Sequence, residues 1–146
     1  MDPLTLMTFP FFLPVMLGTI FLVSGGLAIT TNLVSGIGGT VPKYIGWGTG
    51  AVTPTKTSSD VSTAATEARA TGTPTRQQTT YANDTLRVVG TLTADGGKTI
   101  TNVGLFDAAG SGSPPSGGNL FALSDHTGVV LAQNDQITYT WNICYT

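Results

Sequence analysis

Hydrophobic and polar positions alternate most strictly at the end of the chain. Ile137, Tyr139, Trp141, Ile143 and Tyr145 interleave with Thr138, Thr140, Asn142 and Cys144. A period of two is the signature of a half-buried β-strand, with Trp141 central in the core. Similar runs precede it. Lys43–Gly48 reads as a short strand carrying Trp47, and Ala51–Thr57 reads as loop. Thr75–Ala82 alternates up to the Asn83-Asp84 turn signal. Leu86–Thr93 follows with Leu86, Val88 and Leu92 on one face, then Asp95-Gly96-Gly97 as a tight turn, then Thr99–Phe106. Leu120–Leu123 and Val129–Leu131 read as short strands around an Asp125–Gly128 turn. Asp60–Arg69 fits one or two helical turns with Asp60 as N-cap, and Glu67 fits a solvated loop charge equally well. Short strands separated by turn residues predict an all-β fold, an antiparallel β-sandwich over residues 43–146.

Residues 1–42 follow a different pattern. No charged side chain lies between Asp2 and Lys43. Pro10 and Pro14 oppose helix in the first half of this arm. Beyond Gly18, two extended stretches around Gly25-Gly26 fit at least as well as one helix. A secretory signal has a basic start, which is absent here. A spanning helix wants ~20 unbroken apolar residues with flanking anchors, and the prolines and glycines interrupt this run. The expectation is an extended apolar N-terminal arm that docks on protein, through Phe9, Phe11, Phe12, Leu13, Ile20, Phe21 and Leu22.

Composition narrows the function. The charged fraction is 10% and the formal net charge −2, against ~25% charged residues in a typical domain. No basic cluster offers a footprint for nucleic acid. The single cysteine, Cys144, excludes an internal disulfide and a cysteine-based zinc site. It reads as a small packing residue, with an intermolecular bridge as the alternative. The one histidine, His126, reads as an exposed turn residue. Asp84 with Asp107 is formally a carboxylate pair, but any two of the 8 acids make one. Gly46-Trp47-Gly48-Thr49-Gly50 lacks the Lys and the helix of a phosphate loop. The expectation is no enzyme, no cofactor and no metal site.

Two segments resemble a known group. Pro42-Lys43-Tyr44-Ile45-Gly46-Trp47-Gly48-Thr49-Gly50 is one. The other is Thr99-Ile100-Thr101-Asn102-Val103-Gly104-Leu105-Phe106-Asp107-Ala108, followed by Asn119-Leu120-Phe121-Ala122 and the closing strand. Together they are similar to small structural proteins of tailed bacteriophages, including collar domains of tail fibres. Asn102 stands where Glu is common in that pattern, which weakens a polar role at this position. Read physically, Gly104 marks a bulge or close backbone approach, Leu105 and Phe106 bury, and Asp107 turns the chain. The motif is then a core-and-turn signature. The resemblance implies a virion protein, foremost a capsid decoration (cement) protein that clamps major capsid subunits, often as a homotrimer. The alternatives are a tail or fibre component touching the host through loops 109–119 and 124–128, and a membrane-anchored β-domain.

Overall fold

The computed structural model describes the backbone of Leu4–Thr8 and all of residues 20–145. The chain is an antiparallel β-sandwich, as the alternation predicts. One sheet contains β1 (Leu4–Thr8), β9 (Gln136–Cys144), β6 (Thr85–Thr93) and β5 (Thr73–Gln77), in that order. The other contains β2 (Ile20–Leu22), β8 (Leu120–Leu131), β7 (Lys98–Phe106), β3 (Tyr44–Gly48) and β4 (Ala70–Thr71). We call them the first and second sheet. Among the described residues one helix, α1 (Ser24–Ser35), packs on β8.

The inner faces follow the period-two code. Ile137, Tyr139, Trp141 and Ile143 of β9 meet Val88 and Leu92 of β6 and Ile45, Trp47, Ile100, Val103 and Leu105 of the second sheet. Trp141 is fully buried, and among the described residues its Nε1–H has no acceptor.

Several connections differ from expectation. Asp95-Gly96-Gly97 is not a hairpin turn: β6 and β7 belong to different sheets, so this turn carries the chain across the sandwich. The steps β4 to β5 and β8 to β9 also cross. The two strands expected around Asp125–Gly128 are one continuous strand, β8, paired with β7 through a register shift between Ile100 and Asn102. Polar Ser124, Asp125 and His126 sit inside this strand because ladder pairing overrides local turn propensity. Residues 60–69 form loop and no helix.

The boundary at residue 42 does not divide the fold. β1 pairs with β9 and β2 with β8, so the apolar arm supplies an edge strand to each sheet. Gly25-Gly26 is no turn but the first turn of α1. Glycine costs a helix about 1 kcal/mol per residue, yet close packing demands it here. A Cβ on Gly25 would lie 2.7 Å from Leu120 O, and one on Gly26 would collide with Phe121 O. Gly36, at φ +69°, ends the helix, and the N–H of Ile37 donates to Asn32 O at 3.1 Å.

Candidate docking surface

The expected docking residues divide into three groups. Phe9, Phe11, Phe12 and Leu13 lie outside the described residues. Ile20 and Leu22 pack against the sandwich core, so they hold the protein's own fold together. Phe21, between them on β2, is half-buried. The exposed apolar surface lies further along, where α1 presents Leu27 (50% exposed), Leu33 (40%) and Val34 (84%). The segment after it adds Ile37 (78%) and Val41 (40%). Only Gly26 and Ile29 of this helix are buried. The uncharged run from residue 3 to 42 contained this signal, but hydrophobic density drew attention to the phenylalanines instead.

The motif residues are internal. Trp47, Gly104, Leu105, Phe106 and Trp141 contribute to packing, and Asp107 closes a loop. On the outer face of the second sheet, Gly46 pairs with Gly104. A Cβ on Gly104 would come within 2.8 Å of the Phe106 ring and of Leu120. The bare backbone therefore makes a floor on which Phe106, Leu120, Val61, Val23 and Leu123 form a second apolar cluster. The Arg69 guanidinium lies over the Phe106 ring, 3.5 Å from its centroid. Its Nη1 donates to Ala108 O at 3.0 Å and to Gly117 O at 2.7 Å. Asp107 accepts from the Asn119 N–H at 2.6 Å and from Asn119 Nδ2 at 2.9 Å. The loop between β7 and β8 is thus fastened at its mouth by Asp107 and along its length by Arg69.

Asn102 has a polar role after all. It is fully buried. Its Oδ1 accepts from the Ser62 N–H at 2.9 Å, and its Nδ2 donates to Gly50 O at 2.9 Å and Ser62 O at 3.2 Å. Two of the three partners are carbonyls. A Glu carboxylate has no proton to offer them, so an amide suits this position better than an acid.

Glu67 is no solvated charge. Its side chain is 8% exposed and forms an ion pair with Lys98. It accepts from Trp47 Nε1 at 3.0 Å and from the Asp95 N–H at 3.0 Å. Burial pushes its pKa up, but Lys98 and the Asp95 and Trp47 N–H groups outweigh that, and the net shift is downward. Asp95 bonds Lys98 at 2.6 Å and Thr66 Oγ1 at 2.7 Å, and these partners hold it at about 2.

The formal Asp84–Asp107 pair does not act as one. Asp84 accepts from the N–H groups of Thr79, Thr80 and Tyr81, closing the loop between β5 and β6. The Tyr81 N–H leads the contacts that hold its pKa well below the usual range. Cys144 is buried, with Sγ 2.9 Å from Thr79 Oγ1. His126 is not an exposed turn residue. It faces the interior from β8, with Nε2 3.4 Å from the Tyr139 hydroxyl, and burial lowers its pKa. Among the described residues no group of three or more His, Cys, Asp or Glu gathers to hold a metal ion. No helix among them is long and apolar enough to cross a membrane.

No protein-family model, no curated protein and no solved structure matches the chain.

Proposed function

We propose that this chain is a structural virion protein of a tailed bacteriophage, a capsid decoration protein that acts by docking and catalyses nothing. The observation that carries the docking reading is the uncharged stretch from Leu27 to Val41, which holds five of the eight large hydrophobic residues exposed among the described residues. Patches of several hundred Å² on a folded domain mark contact sites. The chain's buried ionised groups also support a structural role. Glu67, Arg69 and Asp84 each hold a loop in place, and each is turned toward partners within the fold. The phage assignment rests on the resemblance of Thr99–Ala108 with Asn119–Ala122.

Locating the chain in density of purified particles tests the reading. The expected result is the sandwich seated over a boundary between shell subunits, with α1 turned toward protein. Density for it only in the tail transfers the reading to the tail or fibre alternative. Absence of the chain from purified particles by mass spectrometry overturns both.

A further inference from the structure

The two halves of α1 are held very differently. At its start, the Val23 N–H donates to Phe121 O at 3.2 Å and the Ser24 N–H to Lys56 O at 2.8 Å. Gly26 and Ile29 are buried, and Thr30 bonds the Tyr145 hydroxyl. From Thr31 to Val41 every residue is exposed, so packing does not hold the last turns in place. Local forces do not replace it. Val23 gives no side-chain cap, the first turn carries no acid and the last turn no base, so the helix ends lack their usual support. Thr31, Asn32, Val34 and Ser35 are weak helix formers. The Ser35 hydroxyl bonds back to Thr31 O at 2.6 Å, a contact that competes with the helix. Gly36, Gly38 and Gly39 follow at positive φ, and glycine loses the most freedom when a chain is ordered. A helix this short is marginal in water without a packed face. Its opening free energy belongs near the bottom of the range found within one fold, where segments that bind other molecules are also found. Leu33, Val34, Ile37 and Val41 are exposed in this same segment, and covering them would supply the packing it lacks.

We propose that Thr31–Val41 folds as it docks. In the free protein this segment exchanges between helix and open chain while the sandwich stays intact, and the partner's surface closes it. The partner is the shell subunit of the docking reading above, on which this inference rests.

Amide hydrogen exchange on the full chain, read by mass spectrometry, tests the free state. The expected result is exchange within ~10-fold of an unstructured chain at Leu33–Ile37, and exchange at least ~1,000-fold slower on β7 and β9. The double change Thr31→Ala with Asn32→Ala tests the coupling. It replaces two exposed side chains with better helix formers and touches neither the sandwich nor the apolar residues. An open segment lowers apparent affinity by the fraction of molecules that are closed. The double variant should therefore slow exchange at Leu33–Ile37 and tighten attachment to purified phage particles, each by roughly 3–10-fold. Exchange at Leu33–Ile37 as slow as on β9 overturns the inference and leaves the docking reading standing. Slower exchange with unchanged or weaker attachment also overturns it, because ordering is then not coupled to docking. A chain that attaches to no particle in either form removes the docking reading and the coupling together.

Discussion

The outer faces of the two sheets have been treated differently. On the second sheet, residues 49–69 and the β7–β8 loop cover the backbone, and the Arg69 guanidinium is buried beneath them against Phe106. On the first sheet, the β5–β6 loop covers only the end at Thr85 and Cys144, and the rest of the outer face is a field of threonines tied strand to strand. Thr91 and Thr138 share a hydrogen bond of 2.7 Å, Gln136 donates to Thr93 at 3.0 Å, and Arg87 to Asn142 at 2.9 Å. The contrast shows two ways to finish a sandwich in a chain with few charges. A covered face needs a flat floor and buried polar anchors, so it uses Gly46, Gly48, Gly104, Asn102 and Arg69. An open face needs only cross-strand polar pairs, each worth a fraction of a kcal/mol. Substitutions should therefore hurt in proportion to what lies over them.

Neighbours on β9 offer the sharpest test, because Trp141 points inward and Thr140 outward. Trp141→Ala should cost ~3–5 kcal/mol through the cavity it leaves, whereas Thr140→Ala should stay within about 0.5 kcal/mol. Urea unfolding of both variants checks this. Comparable losses would mean that the first sheet's outer face is covered after all.

The covered face is tested next by an isosteric change. Asn102→Asp keeps the shape but replaces two donated hydrogen bonds with a carboxylate facing the Gly50 and Ser62 carbonyls. Thr101 Oγ1 and the Gly50 N–H still donate to these carbonyls, so the cost is that of the two lost hydrogen bonds, about 0.5–1.5 kcal/mol each, and a loss of roughly 1–3 kcal/mol is expected. Protease nicking between residues 50 and 62 should appear with it. An Asp variant as stable as wild type would show that Asn102 does not anchor this loop.

The same contrast explains what could be read from the chain beforehand. Period-two alternation marks which side of a strand faces the core, so Trp47, Val88, Leu92, Trp141 and the sandwich itself were legible. Polar anchors were not, because their partners are distant in sequence: Glu67 lies 20 residues from Trp47 and 31 from Lys98. Without those partners Glu67 resembles any loop charge, and Asn102 resembles a weakened motif position. Sheet membership was hidden too, since Asp95-Gly96-Gly97 has the same residues whether it closes a hairpin or crosses a sandwich. The arm misled for a related reason. Apolar density alone does not separate residues that complete the protein's own sheets, such as Ile20 and Leu22, from residues left for another molecule, such as Val34. Removing residues 3–24 would strip β1 and β2 from the two sheets, so point changes on α1 are the cleaner probe of docking.

The smallest expected effect is in pH dependence, and it distinguishes the covered face from the interior. Glu67 has a folded pKa below its ordinary 4.5, and Asp95 is held at about 2, below its ordinary 3.8. A depressed carboxylate stabilises the fold fully above its unfolded pKa, and that contribution is lost as pH falls through the folded value. The Glu67–Lys98–Asp95 cluster should therefore contribute above about pH 4.5 and fade toward about pH 2. His126 acts in a separate, higher window. Burial lowers its pKa from 6.5, so the unfolded chain takes up a proton that the folded one resists, and stability falls as pH drops below 6.5. Urea midpoints measured from pH 7 to pH 2 should decline in two steps. Asp84 and Asp95 also feed the lower step, so Glu67→Gln should shrink it and leave the upper one, and His126→Phe should shrink the upper step and leave the lower. If Glu67→Gln leaves the lower step unchanged, the covering loop is not held by this carboxylate, and apolar packing of Val61 on the glycine floor carries the covered face instead.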